Sequence, residues 1–135
     1  MKKSDDQILD EFIQEIRQLF PEVSKSLDEW MLIQGWNHDD KMYCAIIEQF
    51  SQITTDCFNN NNIEKAKEYL DFMGVKFERA SEIERAHIDA CFVEHLMWDD
   101  CSGSRRRKCW DLMSENLQKL YLDFWNRKLY HKKNI

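Results

Sequence analysis

Apolar residues recur along this chain at steps of three and four, the spacing that gathers them on one face of an α-helix. Ile8, Phe12, Ile16 and Leu19 make the first stripe. Ser4 precedes it as an N-cap, with Asp5 and Asp6 placed at the positive helix end. Phe20-Pro21 interrupts the pattern, because the residue before a proline avoids the helical region. Pro21 suits the first turn of a second helix, which is expected to bury Val23, Leu27, Trp30 and Met31 and to end at Gly35. Asn37-His38-Asp39-Asp40 then reads as a loop and cap. A third helix is predicted from about Asp40 to Phe58, with Tyr43, Ile46, Ile47, Phe50, Ile53 and Cys57 on one face. The run Asn59-Asn60-Asn61-Asn62 stops it, since asparagine competes with helical backbone bonds.

Ile63, Ala66, Leu70, Met73 and Phe77 mark a fourth helix, with Gly74 as a weak point inside it. Ser81-x-x-Glu84 is a capping box that opens a fifth, predicted to run through about Trp98. Its apolar residues Ile83, Ala86, Ala90, Val93, Leu96 and Met97 surround more of the circumference, which marks a central helix. Asp99 to Arg107 is expected as the main loop. One closing helix then carries Trp110, Met113, Leu117, Leu120, Tyr121 and Phe124, with a frayed tail at 130–135. No strand-like alternation persists. The pattern predicts one all-α domain over residues 1–135, built from five to six short amphipathic helices packed as antiparallel hairpins. A compact bundle and a short superhelical stack both satisfy it, because no repeat of 30 to 45 residues is visible.

Composition agrees with helices joined by few turns: 3 Gly and 1 Pro stand against 8 Phe, 5 Trp and 4 Tyr. No stretch approaches the roughly 18 apolar residues of a membrane helix, and acids follow Lys2-Lys3 where a signal peptide would be apolar. A cytoplasmic protein is expected. Five cysteines, at 44, 57, 91, 101 and 109, are an odd count without close pairing, so reduced thiols are expected as well.

Charge changes the picture more. Residues 1–100 hold 10 Lys and Arg against 22 Asp and Glu, whereas residues 101–135 hold 9 against 3. The dense cluster Arg105-Arg106-Arg107-Lys108, with Trp110, Tyr121 and Trp125 after it, has the residue types that hold phosphates and stack on bases. The acidic body and a pI near 5.2 oppose nucleic-acid binding, so these cations are expected to pair with the protein's own acids. The acidic body itself suits a basic protein partner. Asp28, Glu29, Asp39, Asp40, Asp99 and Asp100, with Trp30 and Trp36 as aromatic anchors, are the candidate partner-binding residues.

Chemistry is sparse. His87, Cys91 and His95 share one helix face, and Cys101 and Cys109 follow, but three ligands over two turns span about 12 Å and cannot share one ion. Glu84-x-x-His87 matches half of a di-iron signature that needs a second copy, and none exists. No catalytic set, cofactor or metal is expected, and the chain reads as a binding protein rather than an enzyme.

The run Ile88-Asp89-Ala90-Cys91-Phe92-Val93-Glu94-His95-Leu96, then a polar loop and a helix opening at Trp110-Asp111-Leu112-Met113, resembles an uncharacterised bacterial family of small all-helical proteins. Some of these are encoded beside polymorphic or contact-dependent toxins. The resemblance implies an immunity protein that binds and neutralises a cognate toxin or effector domain, and it carries no catalytic residues. The alternatives are a cytoplasmic secretion or assembly chaperone, or a nucleic-acid-associated regulator working through residues 105–130.

Overall fold

Ser4 and Ser81 both close the capping boxes their positions invite. Ser4 accepts from the Gln7 amide while the Gln7 side chain accepts from the Ser4 amide, and Ser81 and Glu84 repeat the exchange. The computed structural model describes residues 2–99 and 103–133, with side chains described as far as Asn126. Its helices are α1 (Asp5–Leu19), α2 (Pro21–Gln34), α3 (Tyr43–Asn59), α4 (Ile63–Arg79), α5 (Glu82–His87), α6 (Gly103–Leu112) and α7 (Glu115–Lys133). A π-helical segment, Ile88–Val93, continues directly from α5.

The class is all-α, with seven α-helices among the described residues rather than five or six. Two local events account for the difference. The expected loop at Asp99–Arg107 already belongs to α6 from Gly103 onward. The expected single closing helix is cut at Met113-Ser114, where Asn116 folds back. Its Oδ1 accepts from the Leu117 amide, and its Nδ2 reaches across to the Gly74 carbonyl oxygen at 2.9 Å. Gly74 is therefore a point of close approach rather than a weak spot. A Cβ there would land on Ser114 Oγ and lie 3.1 Å from Ser114 Cβ. The backbone of the expected frayed tail is helical to Lys133, and its last two residues lie outside the described ones.

Consecutive helices pack on one another from α1 to α4, and α1 also meets α3 and α5 while α4 meets α7. These non-sequential contacts close the chain into a bundle rather than an open stack. Rings fill its centre: Phe20 stands edge-on to Tyr69 at 4.9 Å and to Phe72 at 5.6 Å, and Phe50 meets Phe92 at 5.5 Å. The π segment is central as expected, with Ile88, Cys91, Phe92 and Val93 all buried. The α1 stripe is turned from the expected one. Leu9 and Ile13 join Phe12 and Ile16 in the core, and Leu19 is exposed.

The π segment meets α3 along a polar seam inside the core. Ser51 Oγ donates to the Phe92 carbonyl oxygen at 2.7 Å, and Thr55 Oγ1 accepts from the Met97 amide at 2.9 Å. Wider π winding disturbs the regular i→i−4 ladder, and these hydroxyls supply partners to the backbone there. Met97, in the turn after the π segment, stands in the left-handed region at φ 58° with its amide on Thr55.

Candidate protein-docking surface

Helix α2 buries Val23, Leu27 and Met31 and turns its other face to solvent. Helical geometry places Asp28 one turn before Leu32, and Glu29 one turn before Ile33, on that outer face. Leu32 is 79% exposed and Ile33 80%. The helix stops at Gly35 in the left-handed region (φ 77°), with the Gly35 amide donating to Leu32 and the Trp36 amide to Met31, a Schellman arrangement. That reversal carries Trp36 back beside Trp30, ring centroids 5.2 Å apart and nearly perpendicular. Both indoles are half-buried against the core, so the pair is a fixed wall.

The following loop is tied to itself. The Asn37 amide donates to Asp40 Oδ2 at 2.9 Å, and the Asp39 amide to Asn37 Oδ1 at 2.8 Å. Lys41 then anchors its end on Asp6 at 2.7 Å, and that hydrogen bond and ion pair hold the ammonium above its usual range. Asp28, Glu29, Trp30, Trp36, Asp39 and Asp40 thus lie on α2 and its loop, with exposed apolar side chains beside them.

Asp28 has a second task. Its Oδ1 accepts from Arg17 Nη1 at 2.8 Å and lies 3.6 Å from His38 Nε2. The Arg17 side chain is only 8% exposed and donates to Ser24 Oγ as well, so Asp28 neutralises a nearly buried guanidinium. Asp99 is placed elsewhere, exposed beyond α3, with Gln52 Nε2 at 3.4 Å. Asp100 lies outside the described residues. Trp98, half-exposed, tilts against His95 at 6.5 Å. Sequence reading missed Leu32 and Ile33, although their place off the Val23–Leu27–Met31 stripe of the helical wheel was available to find them.

The other sequence-derived groups resolve differently. Glu84 is buried and spoken for: it accepts from the Ser81 amide and hydroxyl and pairs with Lys76 at 3.1 Å. Burial pushes its carboxyl up, but Ser81 and Lys76 outweigh that and leave it below the usual range. His87 turns its Nδ1 to the Ile83 carbonyl oxygen at 2.9 Å. Cys109 is buried, and that burial pushes its thiol up to about 12. Cys101 lies outside the described residues. No group of three or more His, Cys, Asp or Glu that could hold a metal ion is present among the described residues as they stand.

The expectation of reduced thiols throughout is corrected. Cys44 and Cys91 form a disulfide with a Cα separation of 5.4 Å, joining α3 to the π segment across 47 residues of sequence. Only the fold could bring these two together.

The basic cluster is also not a loop. On α6, Arg107 lies 3.5 Å from Asp111 of the same helix, and Arg106 sits 5.2 Å over the Trp125 ring. Arg106 also donates to the Met97 carbonyl oxygen at 3.5 Å, so it joins α6 to α7 and to the turn after the π segment. No helix among the described residues is long and apolar enough to cross a membrane.

Comparison with curated proteins and with solved structures gave no match. Residues 13–126 match a domain of unknown function (DUF7674), and that match covers most of the chain. The chain belongs to the DUF7674 family.

Proposed function

We propose that this protein is a cytoplasmic immunity protein that binds and neutralises a cognate basic toxin or effector domain, acting by occupation rather than catalysis. The observation that carries this reading is the exposed pair Leu32 and Ile33 on α2, with the exposed Glu29 one turn before Ile33 and the fixed Trp30–Trp36 wall closing the same helix end. Adjacent exposed apolar side chains rimmed by acids suit a partner with an apolar anchor and surrounding cations. The acidic body would speed the encounter, since complementary charge steers association. Toxic domains that cut nucleic acids must attract phosphate, which makes a basic cleft the natural target. Co-expression with the toxin encoded by the adjacent gene should restore growth, and the two should co-purify. A neighbour that is neither toxic nor bound contradicts the proposal.

A second reading has one observation in its favour. Arg106, Arg107, Trp110, Tyr121 and Trp125 line one surface hollow between α6 and α7, a combination suited to phosphate and base stacking. Retention on heparin that is lost in an Arg106→Ala/Arg107→Ala variant would support a nucleic-acid-associated role. Flow-through at low salt would dismiss it.

A further inference from the structure

Around the Cys44–Cys91 bond stand two more side chains with metal-ligand chemistry. Glu48 lies one turn after Cys44 on α3, and His95 lies four residues after Cys91. Glu48 Oε1 is 3.4 Å from Cys44 Sγ and 3.2 Å from His95 Nε2. The two cysteines, the carboxylate and the imidazole therefore form one contiguous cluster. It opens to solvent on the Glu48 and His95 side, where the side chains are 38% and 44% exposed. The seam of Ser51, Phe92, Thr55 and Met97 fixes the register of the two elements that carry it.

We propose that, once the disulfide is reduced, Cys44, Glu48, Cys91 and His95 bind a single zinc ion. Zinc takes four ligands of these types in a tetrahedron, with bonds of about 2.0–2.3 Å and hence ligand–ligand edges of about 3.3–3.8 Å. The two edges at Glu48 Oε1 already have nearly that length. Breaking the S–S bond frees both sulfurs to turn about their side-chain torsions toward the same point, from Cα positions 5.4 Å apart.

The chemistry balances with a dithiol reductant. The dithiol gives two electrons and two protons and closes to its own disulfide, while Cys44 and Cys91 become thiols. Zinc then displaces those two thiol protons to water as two Zn–S bonds form. The oxidised protein holds its α3–π joint covalently, and the reduced protein holds it through the metal. In a reducing compartment the dithiol form is the one expected to prevail.

Cobalt tests this, because thiolate-to-cobalt charge transfer and the d–d bands of tetrahedral Co²⁺ report ligand type and geometry directly. The full chain is reduced with a phosphine, freed of reductant, and titrated with Co²⁺ and then Zn²⁺ under inert gas. We expect one Co²⁺ per chain with both signatures, displaced by Zn²⁺, and no such spectrum from the oxidised protein. Cys44→Ser, which leaves Cys91 as the one thiolate of the site, should lower the charge-transfer band to about half or less and weaken binding. Glu48→Gln and His95→Ala, at partly exposed positions, should each weaken binding by at least about 10-fold. Absence of thiolate–cobalt absorption in the reduced protein overturns the proposal. So does an affinity unchanged in both Glu48→Gln and His95→Ala.

Discussion

Arg17 donates to Asp28 at 2.8 Å across the α1–α2 joint, from a side chain that is almost fully withdrawn from water. That single pair divides the acidic residues of α2 into two kinds. Asp28 neutralises the inside of the molecule, whereas Glu29, its neighbour, faces solvent.

The division is measurable. Asp28→Ala leaves a nearly buried guanidinium with the Ser24 oxygens and the Met31 sulfur but no anion, and should cost about 1–2 kcal/mol, the low part of the range because Asp28 itself is half-exposed. Glu29→Ala should stay within about 0.5 kcal/mol of the native protein. Urea denaturation of the two variants checks both. Equal losses would contradict the assignment.

Removing the hydroxyl seam should loosen the joint of α3 with the π segment. Ser51→Ala strands the buried Phe92 carbonyl, and Thr55→Val strands the Met97 amide, each at about 1–3 kcal/mol. The two sit on neighbouring turns and share the segment they hold, so the double variant should not be additive. Denaturation midpoints of the three variants, with amide hydrogen exchange over residues 88–97, measure the effect.

Gly74→Ala should destabilise by about 1–3 kcal/mol despite the roughly 1 kcal/mol that alanine gains in helix propensity. The added methyl would meet Ser114 at the start of α7. Ser114→Gly in the same chain should recover part of the loss, because it removes the atoms in the way. Thermal denaturation distinguishes this from a propensity effect, which would raise stability in the single variant.

Stability should fall on acidification through Glu84. Its folded carboxyl lies below the ordinary value of 4.5, held there by Ser81 and Lys76 against the opposing effect of burial. The unfolded chain therefore takes up the proton first. The contribution is complete above pH 4.5 and disappears as pH falls through the lowered folded value. Lys76 is shifted the opposite way: burial lowers it, but Glu84 and Glu15 prevail and raise it above 10.5. Its contribution is complete below 10.5 and is lost as pH rises past the raised value. Glu84→Gln should flatten the acid limb of a urea-midpoint profile while lowering the plateau.

Those effects also show what sequence patterning conveys. Helix positions, the Ser4 cap, the Ser81–Glu84 capping box, the Gly35 stop and the central place of the fifth helical stretch are local signals, written in spacing and cap chemistry. What escaped reading depends on which helices meet. The Cys44–Cys91 bond spans 47 residues, and an odd cysteine count pointed the other way. Ser51 and Thr55 look like solvent-facing polar positions until the π segment arrives to use them. The break at Ser114 is set by Asn116 reaching for Gly74 on another helix. At the docking surface, acidic and aromatic residues were legible as types, but Leu32 and Ile33 went unremarked, although α2 turns both outward.

The binding claim is tested most directly by calorimetric titration of the purified protein with an inactivated toxin domain from the adjacent gene. The native chain should bind, and a Leu32→Ser/Ile33→Ser/Glu29→Lys variant with unchanged denaturation midpoint should bind about 100-fold more weakly, a loss of roughly 2.7 kcal/mol. Equal affinity in the native chain and the variant, or no binding by either, would contradict the account.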